Sequence, residues 1–236
     1  MNKYNKRTLT DIIYNAMNHF NETMNFDISP KNTVIEFFTR ETGLVVYENF
    51  CSKYFPDWIN DNYKTEGYFE NFAASAFFND NIYGILIRSD LIWSESEYFN
   101  VVLHEISHLY CCKNELVGGN FFIEYCLKEA DVDIGVINAG YAVWREIVAD
   151  IITQKITCYK DKFSLKQVKP IILEWYSKIS HENTDSKLLM SLILVQLMLL
   201  TEILNAGSCD KAKNITENIT EINYESFIQI FELVYN

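Results

Sequence analysis

The chain has four histidines, and two of them fall in Val101-Val-Leu-His104-Glu105-Ile-Ser-His108-Leu109, an H-E-x-x-H motif. Positions i and i+4 of a helix share a face, so both imidazoles can present a ring nitrogen to one metal ion. Neutral imidazole suits zinc, and a glutamate between the two is placed to act on a water at that metal. A catalytic zinc site takes three protein ligands and leaves a fourth position open, so another acid or imidazole must come from elsewhere in the chain. The segment Trp144-Arg-Glu146-Ile-Val-Ala-Asp150-Ile-Ile supplies candidates. Glu146 and Asp150 stand one helical turn apart among apolar neighbours, where carboxylates that lack partners are costly. Glu146 is expected to complete a site for one zinc ion with His104 and His108. Asp150 is expected to hydrogen-bond the outer nitrogen of a ligand histidine, His104, and so fix its tautomer. The competing reading is a solvated acidic stripe. The site implies hydrolysis: Glu105 takes a proton from the zinc-bound water, hydroxide attacks a polarised peptide carbonyl, and Glu105 returns the proton to the leaving amine.

Two helices must hold these residues. Ser94-Glu-Ser-Glu97 is a capping-box pattern, and it opens a helix predicted through about Cys112. A second helical pattern runs from about Tyr141 to Thr157, after Asn138-Ala-Gly140. Ahead of both, two apolar runs between Ala76 and Arg88 read as a β-hairpin turning at Asn79-Asp80-Asn81. Leu9, Ile12, Ile13, Ala16 and Phe20 recur at helical spacing, with Thr8 and Thr10 as candidate caps. Asn32 to Gly43 reads as a further helix ended by Gly43, and the aromatic-rich stretch Leu44 to Phe69, broken at Pro56, is ambiguous. Beyond residue 160 the pattern is helical: Ser164 to Ile179, an apolar helix capped by Asp185 and running through Leu204, and Tyr224 to Tyr235. The expected fold class is α+β, predominantly helical.

Composition bounds the function. The 236 residues are 49% hydrophobic and 22% charged, with 3 Pro and 8 Gly, which excludes a disordered or collagen-like chain and leaves one domain or two small lobes. A net charge of -12 without a basic patch argues against binding nucleic-acid backbones. The apolar stretch Leu188 to Leu204 is interrupted by Ser191, Gln196, Thr201 and Glu202, so it reads as a buried helix and not as a membrane span. The basic N-terminal residues are followed by no apolar signal core. The cysteines at 51, 111, 112, 126, 158 and 209 include no C-x-x-C pair. A cytoplasmic protein with reduced thiols is the expectation.

The H-E-x-x-H at 104–108 and the later Glu-x-x-x-Asp at 146–150 together resemble the gluzincin metallopeptidases, which include thermolysin-like and small intracellular bacterial members. The resemblance covers about Ala76 to Thr157, and the stretch from 109 to 145 is longer than its counterpart in thermolysin. It implies zinc held by His104, His108 and Glu146, Glu105 as general base and acid, and Asp150 orienting a ligand. It also implies a zincin-like catalytic region over 1–160, with a helical subdomain over 161–236 packed on the same core. The substrate would be a peptide or protein lying along a sheet edge beside the active helix. Ile82, Tyr83, Gly84, Ile85, Leu86 and Ile87 are the strand expected there, though they equally read as a core strand. Gluzincins often add a Tyr or His that stabilises the oxyanion, and Tyr141, Tyr176 and His181 are the candidates, His181 reading better as a surface loop residue. Cys111 and Cys112, within one turn of His108, read as buried small hydrophobes. Two other readings stay open: a zinc-binding but non-catalytic regulatory or interaction protein, and a metal-free helical interaction protein.

Overall fold

A computed structural model describes residues 4–59, 61–64, 68–79, 82–114, 145–146, 148–150 and 152–157. The chain divides into two compact units, Met1–Asn114 and Glu115–Asn236. The first unit opens with α1 (Lys6–Met24), which buries Leu9, Ile12, Ile13, Ala16, Met17 and Phe20 on one face as their spacing predicts. The cap is Asn5, one of the strongest N-cap residues, and not the expected Thr8 or Thr10. Asn5 Oδ1 accepts from the Thr8 amide at 2.9 Å, while Thr10 lies inside the helix and donates its hydroxyl to Lys6 O. Asn25 ends α1 in the left-handed region, at φ 51 and ψ 48.

Residues 33–38 correct the helix expected over Asn32 to Gly43. They form strand β1 (Thr33–Phe38), as suits Thr-Val-Ile-Glu-Phe-Phe, whose β-branched and aromatic side chains fit a pleated surface. Gly43 ends nothing; it opens α2 (Gly43–Tyr54). A Cβ there would stand 2.5 Å from Phe69 Cγ, so the position is held small by packing. Pro56 then starts a 3-10 turn, Pro56–Trp58, where a missing N–H costs nothing. A second such turn (Asp61–Lys64) and the short α3 (Tyr68–Asn71) lead to the hairpin.

The hairpin forms as expected, from β2 (Ala74–Phe78) and β3 (Tyr83–Arg88). Asn79 closes it, donating its amide to Ile82 O at 3.1 Å and accepting from the Ile82 amide at 3.0 Å through Oδ1. The sheet order is β1-β3-β2: β3 runs parallel to β1, with Ile35 opposite Ile85, and antiparallel to β2, with Ala76 opposite Ile85. The expectation that Ile82 to Ile87 offer an edge to substrate is therefore corrected. From Tyr83 onward these residues form the central strand, with both ladders taken and every residue buried, while Ile82 belongs to the turn. Among the described residues, the edges belong to β1 and β2.

Alternate residues of β3 serve two layers. Gly84 lies against Phe50 and Phe55, and Leu86 joins a core with Phe38, Tyr47, Phe50, Cys51, Phe55 and Phe77 on the α2 side. Tyr83 meets Phe26, which packs in turn on Phe20 of α1 and on Tyr110 of α4 (Glu95–Lys113). Arg88 ends β3 buried, donating to Asp90 through Nε at 2.6 Å and to the carbonyls of Phe69 and Glu70 at 3.2 and 2.7 Å.

In the second unit, residues 145–146, 148–150 and 152–157 are helical, within the span the sequence predicts, with Ala149, Ile152, Thr153 and Ile156 buried. The Thr153 hydroxyl is satisfied by Ala149 O at 2.8 Å. The architecture is mixed α+β, mostly helical, with a small three-stranded sheet. The helices expected beyond residue 160 lie outside the described residues. Among those described, no helix is long and apolar enough to cross a membrane.

Candidate metal centre

The helix that carries H-E-x-x-H is built to be rigid. Ser94 caps it with the complete capping box: its Oγ accepts from the Glu97 amide at 3.3 Å, and Glu97 Oε2 accepts from the Ser94 amide at 2.7 Å. Tyr98, Val102, Leu103, Ile106 and Leu109 sink its inner face into the core. The Tyr98 hydroxyl donates to Leu91 O at 3.2 Å, anchoring the first turn to the loop before it. Ser107, fully buried, satisfies its hydroxyl within the helix by donating to Leu103 O at 2.8 Å. α4 also packs against α1 and β2, so both histidines ride on an element fixed from two sides.

His104 and Glu105 are half-buried and His108 is buried. The Nε2 atoms of His104 and His108 stand 3.1 Å apart, with the rings nearly perpendicular at 86°. Zinc with Zn–N bonds of about 2.0–2.1 Å and tetrahedral angles separates two nitrogens by roughly 3.3–3.4 Å, so the pair converges at close to that spacing. The half-buried Glu146 adds a carboxylate oxygen, and the three ligand atoms all lie within 4.8 Å of one another. His104, His108 and Glu146 thus form a group that could hold a metal ion. Two imidazoles and one carboxylate are a donor set that zinc accepts while keeping a position open.

The remaining candidates fall as follows. Asp150 is helical and half-buried, one turn after Glu146. Tyr141, Tyr176 and His181 lie outside the described residues, as do Cys126, Cys158 and Cys209. Cys51 and Cys111 are buried and Cys112 is half-buried. Sequence reading passed over Trp58, whose indole Nε1 donates to Phe78 O at 3.0 Å on strand β2. Its signal was faint: one aromatic among many, in a turn opened by Pro56. Compared with known protein families, curated proteins and solved structures, the chain matches none.

Proposed function

We propose that the chain is a cytoplasmic, zinc-dependent metallopeptidase of gluzincin type with a zincin-like fold, hydrolysing peptide bonds in a peptide or protein substrate. The observation that carries this reading is the convergence of His104 and His108 Nε2 at 3.1 Å, with the Glu146 carboxylate in the same group. His104, His108 and Glu146 would hold the ion. When bound, zinc supplies Lewis acidity, which polarises a carbonyl and acidifies water. Glu105 neighbours His104 on the same helix and is half-buried. It takes the proton of the attacking water and gives it to the nitrogen of the leaving amine. Asp150 restrains a ligand imidazole. The peptide pairs with the outer edge of β2, the edge strand on which α4 packs.

The test joins elemental analysis of the purified protein with a peptidase assay. One zinc per chain is expected, reduced by Glu146→Ala. Glu105→Gln should retain zinc and lose turnover by about 10²–10⁴-fold. Failure to take up zinc, or full turnover in Glu105→Gln, overturns the proposal. Stoichiometric zinc with no hydrolysis of any peptide puts a non-catalytic zinc-binding protein in its place.

A further inference from the structure

The hairpin register fixes which backbone groups of β2 face outward. Arg88 N donates to Ala73 O and Asn79 N to Ile82 O, so residues 73, 75, 77 and 79 turn their backbone groups toward β3. Antiparallel ladders alternate, and the N–H and C=O groups of Ala74, Ala76 and Phe78 therefore point away from β3, along the outer edge. Of these groups, Phe78 O already has a partner: the Trp58 indole donates to it at 3.0 Å. The Trp58 ring stands edge-on to Phe77, centroids 5.7 Å apart, and its N–H occupies the carbonyl that a pairing strand would need at this end. Among the described residues, the edge open to pairing thus runs along Ala74 and Ala76 and ends at Trp58.

We propose that Trp58 is a specificity-determining residue that limits how far a bound peptide extends along β2. This rests on the peptidase reading above and adds a direction to it. An added strand antiparallel to β2 pairs slightly better per residue than a parallel one. Such a peptide begins opposite Phe78 and runs toward Ala74, so the end that meets Trp58 is its N-terminal side. The enzyme therefore favours substrates with few residues on the N-terminal side of the paired segment and is indifferent to length on the other side.

The test measures kcat/KM for one cleaved peptide lengthened a residue at a time, at the N-terminus in one series and at the C-terminus in the other. In the wild type, N-terminal lengthening should lower kcat/KM by tenfold or more past a sharp limit. Trp58→Ala should relieve that loss for long peptides while leaving short peptides, C-terminal lengthening and zinc content unchanged. Trp58→Phe, which keeps a ring against Phe77 but has no N–H, should give smaller relief in the same direction and covers the case in which the alanine variant folds poorly. Cleavage with the same length profile in wild type and both variants overturns the role of Trp58. Relief confined to C-terminal lengthening overturns the antiparallel direction. If the wild type cleaves no peptide, the peptidase reading fails and this inference falls with it.

Discussion

Glycine at position 84 shows how tightly single residues are specified around the sheet. A Cβ there would stand 2.5 Å from Phe55 Cε2 and 3.0 Å from Phe50 Cζ, and both rings are buried in the α2-side core. Gly84→Ala should therefore cost about 1–3 kcal/mol in denaturant unfolding, because neither ring has room to retreat. An unchanged unfolding midpoint would contradict this. Cys51 makes a second prediction at this scale. Burial pushes its thiol up to about 11, against a smaller lowering by its hydrogen bond with Tyr47. Thiolate is the reactive form, so iodoacetamide near neutral pH should leave Cys51 unlabelled in the folded protein and label it once the chain is denatured, read by peptide mass mapping. Residue identity made two of the candidate ligands legible, since His104 and His108 stand out by type and helical spacing alone. Glu146 needed an argument from partnerless carboxylates in apolar sequence. Trp58 was not legible, because its meaning depends on a carbonyl of Phe78 that the fold, and not the local sequence, brings to it.

Elements specified by local signals could be read, and those specified by distant partners could not. α4 is set by a capping box contained in four residues, and the β2–β3 hairpin by one turn. β1 was misread as a helix because what makes it a strand is its parallel pairing with β3, far along the chain. Strand order suffered likewise: alternation identifies a strand but not its neighbours, so β3 could be expected at an edge when it is central. Ser94→Ala removes the side-chain half of the capping box and should destabilise the first unit by about 0.5–2 kcal/mol. The joint between β3 and the loop that follows it depends on pH. Burial raises the Asp90 carboxyl, but hydrogen bonds from Arg88 and the Arg40 amide, with the Arg88 charge, outweigh it and leave its pKa below the ordinary range. A group lowered in the folded state contributes stability above its unfolded pKa, about 3.9, and loses it as pH falls through the folded value. Asp90→Asn should accordingly cost about 1–3 kcal/mol near pH 7, since it weakens the partner of buried Arg88. The gap between variant and wild type should close on acidification below pH 4; a gap independent of pH would refute the assignment.

At the scale of the whole molecule, the proposed ion does more than chemistry. His104 and His108 lie on one helix, while Glu146 comes from much later in the chain, so an ion held by all three joins residues remote in sequence. An unfolded chain cannot keep the three ligand atoms within 4.8 Å, and binding energy gained by the folded state becomes folding energy. The size follows from mass action: free zinc at a hundred times its dissociation constant stabilises by about 2.7 kcal/mol. Removing metal with a chelator should lower the thermal midpoint, and restoring zinc should raise it progressively with concentration. Glu146→Ala should shrink that zinc-dependent rise, and His104→Ala should nearly abolish it. Glu105→Gln should leave it intact, because Glu105 is assigned to the proton and not to the ion. That last variant separates the roles within the motif. A zinc-dependent rise lost in Glu105→Gln as fully as in His104→Ala would mean that Glu105 is itself a ligand, and the division of labour along α4 would have to be redrawn.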